Sequence, residues 1–490
     1  MKLKLMKQQL AAIKKSEGKE AFAFFMEQGT GKTATILAEV ERLFSRGQID
    51  SVLVVAPKGV HISWVKREIP KTLSIPYRAA YYLSGNAKSK RDVEKLFDRN
   101  STTDVPELKI LTINYDALIT KDGWEVVKRF LRLNLRIYAA LDESTRIKTP
   151  GRKRTERAMM IQPHTLFRRI ATGTPVAESP VAVFQQMEFL ESGLLGTTSY
   201  RAFVAEYAEL IDDDSHLMRH IQQRQQQEHG AQSRFRKPQI IARDETGAPI
   251  WRNLTKLNRL LEPHSYRALK SECLDLPPKV YETVYFELEK KHMRLYEKLK
   301  KDMRIEVEED LLTFNKLTVI TKLQQVTSGF IKIGDETAGL DNRQRMDALL
   351  ETIEDRQGQM IIWAKFRAEI AMIVDELKKA GHSVVEYHGG TKPKDREHAI
   401  DSFQSGESRF FVGHEQAAGI GLTLTAAETV IYYSNGNSAE NRLQSEDRAH
   451  RIGTTKTVTY IDIVALDTID ERIAARHQSK EYVAKIVMGD

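Results

Sequence analysis

Short, continuous apolar runs constrain the fold of this chain more than any other feature. One series falls at residues 21–25, 51–56, 109–114, 135–141 and 169–171, and a second at 359–364, 383–387, 409–412, 429–433 and 457–464. Runs that are apolar throughout, rather than at alternate positions, suit strands covered on both faces, the condition of a parallel sheet flanked by helices. Two such series predict an α/β protein of two doubly wound parallel-sheet lobes with helical insertions. The expected division is lobe one over 1–190, a helical and hairpin insertion with linker over 191–275, and lobe two over 276–490. Asp244-Glu245-Thr246-Gly247 predicts a small hairpin within the insertion, and Pro277-Pro278 punctuates the start of the second lobe. Leu295, Leu299, Met303, Leu311, Leu312 and Leu317 follow at near-helical spacing, predicting a helical protrusion at about 287–331.

The first apolar run leads into Met26-Glu27-Gln28-Gly29-Thr30-Gly31-Lys32-Thr33. A strand, a glycine loop and a helix N-terminus carrying Lys-Thr together cradle a triphosphate. Backbone N–H groups from Gly29, Thr30 and Gly31 to Thr33 would wrap the phosphates, Lys32 would reach the β/γ oxygens, and the Thr33 hydroxyl would ligate Mg²⁺. The pattern asks for glycine where this chain has Met26, a departure that leaves a non-nucleotide loop open until a second site is found. Ile36, Val40, Leu43 and Phe44 share one face of the following helix, which Gly47 should end.

That second site comes at 135–141, where the apolar run ends in Asp142-Glu143-Ser144-Thr145. Asp-Glu after a strand commonly caps a helix. Downstream of a phosphate loop it acquires a second meaning, with Asp142 holding Mg²⁺ and Glu143 deprotonating the attacking water.

With 490 residues, 41% of them apolar and 29% charged, the chain can fill two to four domain cores. It has no run near 18 apolar residues, its first residues do not begin a signal peptide, and Cys273 is its only cysteine, so a reducing cytoplasmic setting without intrachain disulfides is expected. Net charge is 75 − 67 = +8. Residues 145–169 carry eight Lys/Arg against one acid, and 215–243 carry six against one. Such blocks are often solvated faces; two of them on a nucleotide-binding chain favour a polyanion, most simply nucleic acid.

Taken together, these stretches resemble the Swi/Snf-type translocases of helicase superfamily two, over nearly the whole chain. Gln9 is similar to the family's adenine-reading glutamine, with Gln8 the alternative in a slipped register. Ala56-Pro57-Lys58 with Ser63-Trp64-Val65-Lys66-Arg67-Glu68, and Leu111-Thr112-Ile113-Asn114-Tyr115-Asp116, resemble nucleic-acid-contacting motifs. Asp142 to Lys148 stands where the family has its Asp-Glu box, Ala171-Thr172-Gly173-Thr174-Pro175 resembles the lobe-coupling motif, and Leu276-Pro277-Pro278-Lys279 the start of lobe two. Tyr387-His388-Gly389-Gly390-Thr391 resembles a backbone-gripping loop, Gly419-Ile420-Gly421-Leu422-Thr423-Leu424 the glycine-rich fifth motif, and Gln444-Ser445-Glu446-Asp447-Arg448-Ala449-His450-Arg451-Ile452-Gly453 the sixth. Gln444 and the two arginines are expected on one helical face.

The resemblance implies RecA-like lobes, ATP and Mg²⁺ as cofactors, and DNA as partner, duplex or branched rather than single-stranded or RNA. It implies catalytic roles for Lys32, Asp142 and Glu143 and for Arg448 and Arg451 as arginine fingers, with Gly421 and Gln444 also at the nucleotide. Nucleic-acid contacts are expected at Lys58, Trp64, Asn114, Tyr115, Lys148, Lys365, Gly389 and Thr391, with packed core an equal alternative for Trp64. Arg152-Lys153-Arg154 and Arg234-Phe235-Arg236-Lys237 are further candidates. Many relatives carry histidine where this chain has Thr145, so coupling of the lobes should differ, and Glu415-Gln416-Ala417-Ala418 is also unusual. The expected activity is a compact, monomeric DNA-dependent ATPase without accessory domains, which resembles phage or bacterial helicases of recombination, repair or defence and implies a bacterial or phage-infected host cytoplasm. A strand-separating DNA or RNA helicase, or a non-hydrolysing DNA clamp, are the alternatives.

Overall fold

The computed structural model describes residues 2–98, 106–212, 239–244, 248–309, 316–416 and 422–490, apart from the side chains of 303–309, 316–317 and Pro393. It divides into two units. The first holds Met1–Tyr207, Asn253–Leu276 and Tyr482–Asp490; the second holds Ala208–Arg252 and Pro277–Glu481.

Strands β1 (Ala21–Met26), β2 (Ser51–Ala56), β3 (Tyr77–Tyr81), β4 (Leu108–Asn114), β5 (Ile137–Asp142) and β6 (Phe167–Ala171) belong to the first unit. After β7 (Leu210–Asp212) and β8 (Gln239–Ile241), which pair antiparallel, β9 (Ser265–Ala268) completes its sheet. The order is β3-β4-β2-β5-β6-β1-β9, with every pairing parallel. Phe22, Phe24, Met26, Val52, Val54, Tyr138 and Ala140 pack one face, while the alternating Ala23, Phe25, Leu53, Val55, Ala139 and Leu141 are buried on the other. Both faces are covered, which is why these strands read as unbroken apolar runs.

The second unit has β10 (Lys279–Phe286), β11 (Phe330–Ile333), β12 (Glu336–Gly339), β13 (Gln359–Trp363), β14 (Val384–Tyr387), β15 (Phe410–Gly413), β16 (Ala427–Tyr432) and β17 (Val458–Ala465). Six form a parallel sheet in the order β10-β17-β16-β13-β15-β14, and β11 with β12 make a separate hairpin. Ile362, Phe410, Val412, Ile431 and Ile461 pack on one side, and Ile361, Trp363, Phe411, Val430 and Tyr460 on the other.

The 191–275 insertion expected from the sequence is shared between the units. Residues 253–276 add β9 to the edge of the first sheet beside β1, where Glu27 N–H donates to Ala268 O at 3.0 Å. The expected hairpin exists as paired flanks: Asp244 N–H donates to Ala248 O and Ile250 N–H to Ala242 O, each at 2.9 Å, while the 245–247 tip lies outside the described residues. Of the helical protrusion expected at 287–331, the helices Lys290–Glu309 and Lys316–Thr327 are present, with Tyr296, Leu323 and Val326 packed into the core of the second unit; Leu311 and Leu312 lie outside the described residues. Among the described residues no helix is long and apolar enough to cross a membrane.

Candidate active site

The phosphate loop leaves the C-terminal end of β1 and enters helix Lys32–Ser45, so the open N–H groups of that helix face the crevice at the strand ends. Gly29 and Gly31 have φ of 87° and 92°, a conformation that costs other residues energy. Met26 does not break the loop: it is the last residue of β1, and its side chain belongs to the core. Its carbonyl accepts from Lys32 Nζ at 3.0 Å, which holds the ammonium over the loop. The far end of the helix closes as expected, with Gly47 N–H on Phe44 O and Gln48 N–H on Leu43 O. Thr33 is half-buried in the first helical turn, and the buried Thr30 donates its hydroxyl to Glu27 O at 2.7 Å.

Gln9 lies against this loop. Its Oε1 accepts from Met6 N–H at 2.8 Å and its Nε2 donates to Gly31 O at 3.2 Å. Gln8 donates to Thr30 O at 3.5 Å, so both glutamines of the two possible registers touch the loop backbone.

Two strands away in the sheet, β5 ends in Asp142, 5% exposed, and Glu143, whose φ of 52° and ψ of 59° are left-handed for a residue with a Cβ. Burial raises the Asp142 carboxyl; the Trp64 indole N–H, the Lys32 charge and the Glu143 backbone N–H act against it. Trp64 Nε1 donates to Asp142 Oδ2 at 2.9 Å. Glu143 Oε2 accepts from Thr172 Oγ1 at 3.0 Å, and Thr172 Oγ1 in turn accepts from Thr174 N–H at 3.2 Å. At Gly173 a Cβ would stand 3.1 Å from Glu27 Cα and 3.3 Å from Gln28 N, so the 172–174 loop rides directly on the phosphate-loop backbone. Loop, acidic pair and Thr172 therefore form one cluster. Thr33 and Asp142 supply hard oxygen donors beside Lys32, a set suited to Mg²⁺ shared with phosphate oxygens.

Several expected nucleic-acid residues prove to be internal. Trp64 is 1% exposed, and its polar edge is spent on Asp142. Tyr115 is 2% exposed and donates to the Asp142 carbonyl oxygen at 2.9 Å. Asn114 is buried and caps helix Tyr115–Leu118, accepting from Asp116 and Ala117 N–H. Asn114 and Tyr115 are corrected from surface contacts to framework, and Trp64 takes its packed-core alternative. Lys365 is half-buried with its ammonium on Gln324, which removes it from the open surface too. Lys58 is exposed and Lys148 half-exposed. Gly389 is exposed in a turn closed by Thr391 Oγ1, which accepts from His388 N–H at 3.1 Å, and Arg396 donates to Gly389 O at 2.9 Å.

In the second unit, helix Ala439–Ala449 starts at Ser438, whose side chain accepts from Asn441 N–H. Gln444 and Arg448 are buried on it. Arg451 is not on that helix, contrary to the expected single face. The backbone leaves helical geometry at His450, and Thr454 folds the next turn by donating to Ala449 O at 2.6 Å. Arg451 Nη1 instead donates to Thr423 Oγ1 at 2.9 Å and Leu422 O at 3.2 Å, within the fifth motif. Gly421 and Gly419 lie outside the described residues, as does Arg234-Phe235-Arg236-Lys237.

Other residues of the site were not foreseen. Gln186, fully buried, accepts from Ser144 Oγ at 2.7 Å and donates to Pro175 O at 2.9 Å, tying the acidic box to the 172–175 loop. Lys279 and Arg442 both pair with the buried Glu446, each at 2.9 Å.

The SNF2-related domain family matches residues 14–331, and the helicase conserved C-terminal domain family matches 344–453. The chain belongs to the SNF2-related family. An uncharacterized ATP-dependent helicase of Mycoplasma genitalium is 26% identical over 95% of this chain and 40% of its own length. The SWI/SNF-related matrix-associated actin-dependent regulator of chromatin subfamily A containing DEAD/H box 1 of Bos taurus is 23% identical over 93% of this chain and 46% of its own. The chain thus spans under half the length of these relatives. The Sulfolobus solfataricus SWI2/SNF2 ATPase core in complex with dsDNA aligns over 100% of this chain and 95% of that one at 20% identity, with a TM-score of 0.41.

Proposed function

We propose that this SNF2-related chain is an ATP-dependent DNA translocase, moving along duplex or branched DNA. The observation that carries the ATPase half is the cluster of Gly29–Thr33, Asp142 and Glu143, with Thr172 on the glutamate and Gly173 against the loop. Backbone N–H groups at the start of helix Lys32–Ser45 bind phosphate oxygens, and Lys32 exchanges its bond to Met26 O for the β/γ oxygens. Glu143 takes the proton of the attacking water, while Thr172 fixes the carboxylate's orientation. Mg²⁺, when bound through Thr33 and Asp142, offsets the charge of the β and γ phosphates. Arg448 and Arg451 supply positive charge to the transition state. Hydrolysis that waits on that charge is the step such a motor couples to movement along DNA. Lys58, Lys148, Gly389 and Thr391 are the phosphate contacts of this reading.

The test measures ATPase rate without nucleic acid and with single strand, duplex, four-way junction or RNA, alongside triplex displacement and duplex unwinding. Duplex or junction should stimulate hydrolysis and displace a triplex third strand. No stimulation by any polymer sinks the motor, and stimulation without displacement removes translocation. Processive unwinding would favour the strand-separating alternative.

A further inference from the structure

Two side chains expected on nucleic acid converge on one residue of the ATP site. Trp64 donates to the Asp142 carboxylate and Tyr115 to the Asp142 backbone carbonyl, both at 2.9 Å. Donors and acceptor are all buried, so water does not compete for either bond and the geometry is held. Side chain and backbone of Asp142 are therefore each fixed by a donor from a different segment.

Both segments reach the surface within a residue or two. Trp64 opens a π-helical turn, Trp64–Glu68, set between Val60–Ser63 and Ile69–Thr72. Such turns are rare and concentrate at functional positions. This one carries the buried Trp64 together with exposed Lys66 and Arg67. Tyr115 opens Tyr115–Leu118, and its neighbour Asp116 is paired with Arg154 of the basic 152–154 cluster. Thr112 Oγ1 donates to His61 O at 2.7 Å, which joins the two segments behind the site.

We propose that Trp64 and Tyr115 are positioning residues for Asp142, transmitting phosphate contact on Lys66, Arg67 and residues 152–154 to the metal-binding carboxylate. The inference rests on the ATP-driven DNA reading above and assigns its coupling path within the first unit. A packed indole and a packed phenol transmit displacement because neither has room to absorb it. Outer-sphere partners of a metal ligand typically alter metal affinity or activity ten- to a hundredfold.

The experiment uses the full chain with Tyr115→Phe, which removes one oxygen, and Trp64→Phe, which removes the indole N–H. Affinity for a fluorescent ATP analogue is measured in Mg²⁺ and in EDTA, with duplex affinity and with kcat and KM for ATP, each with and without duplex. Expected are EDTA and duplex affinities within about twofold of the parent, a roughly tenfold smaller Mg²⁺-dependent gain in nucleotide affinity, and weaker duplex stimulation of kcat. An unchanged Mg²⁺ gain in folded Tyr115→Phe overturns the positioning role, whether or not Trp64→Phe folds. A reduced Mg²⁺ gain with full duplex stimulation overturns the transmission. A parent without any nucleic-acid stimulation refutes the motor reading and the transmission together, while the Mg²⁺ comparison still decides positioning.

Discussion

Gly29 and Gly31 offer a comparison in which two similar substitutions should differ for a visible reason. Both have positive φ, so alanine at either costs about 1–2 kcal/mol of backbone strain. At Gly29 the nearest atom to an added Cβ is Lys270 Cε, 3.9 Å away, an ordinary contact. At Gly31 the Cβ would stand 2.0 Å from Gln9 Nε2, so the glutamine must leave. It then loses its bonds to Met6 N–H and Gly31 O, each worth about 1 kcal/mol net. Gly31→Ala should therefore cost about 3–4 kcal/mol against about 1–2 for Gly29→Ala. The difference of about 2 kcal/mol is a roughly 30-fold change in a local opening equilibrium. Amide hydrogen exchange over Lys7–Ser16 and Ala21–Met26 reads that opening locally, which suits a chain of two units better than a single melting temperature. Gln9→Ala removes the obstacle in advance, so adding Gly31→Ala to it should cost only the strain. Equal exchange in the two single variants, or a double variant as damaged as the sum of its parts, would refute the argument that Gln9 makes Gly31 special.

Glu143→Gln should bind ATP and DNA yet lose at least a hundredfold in kcat; ordinary turnover would mean that the base is elsewhere. Arg451→Ala should retain ATP affinity, lose hydrolysis and also raise protease sensitivity near Leu422, whose carbonyl it holds; full activity would refute the finger assignment. Burial pushes the Glu446 carboxyl up, but Lys279 and Arg442 prevail and hold it at about 2, against an ordinary 4.5. Because the folded value is the lower one, its contribution is present above about 4.5 and is lost as pH falls toward 2. That loss is on the order of 3 kcal/mol. Hydrogen exchange of β17 between pH 5 and 3 should show it, and Glu446→Gln should flatten the slope.

How far the sequence revealed the fold depended on where each strand lies. Every central strand of both sheets falls within, or within a residue or two of, an apolar run, because a strand with neighbours on both sides and helices on both faces has no polar surface to keep. In the two large sheets the strands without such a run are β3, β9 and β10, all at sheet edges. Val280, Tyr281 and Tyr285 of β10 are exposed among Lys279, Glu282 and Thr283, a mixture that does not look like a buried strand. Missing β9 had a functional consequence, since its end receives the Glu27 backbone and Lys270 N–H donates to Glu27 Oε2 at 2.8 Å, making it a support of the phosphate loop.

Charge was less legible than apolarity, because a count of basic residues says nothing about which way they point. The 145–169 block suggested a polyanion surface, yet Arg169 is among the most buried residues in the chain. Its guanidinium makes a bidentate pair with Glu39, at 2.7 and 2.9 Å, and donates to the carbonyls of Lys19, Glu20 and Arg168. Glu39 also accepts from Tyr138 and Ser16, so the buried pair is fully hydrogen-bonded and joins β5, β6 and two helices behind the ATP site. Arg168 is spent on Leu190 O and Thr165 O. What remains for a phosphate backbone is the 146–157 part of the block. The same inversion explains Trp64 and Tyr115: an aromatic in a DNA-facing motif suggests a surface contact, but these two use their single polar atoms on Asp142. For Trp64 the packed-core alternative holds, and Tyr115 turns inward where a surface contact was expected. Trp64 and Tyr115 thus separate the exposed Lys66, Arg67 and Asp116 from the buried Asp142, and in the proposed reading coupling is to be sought in that packed layer.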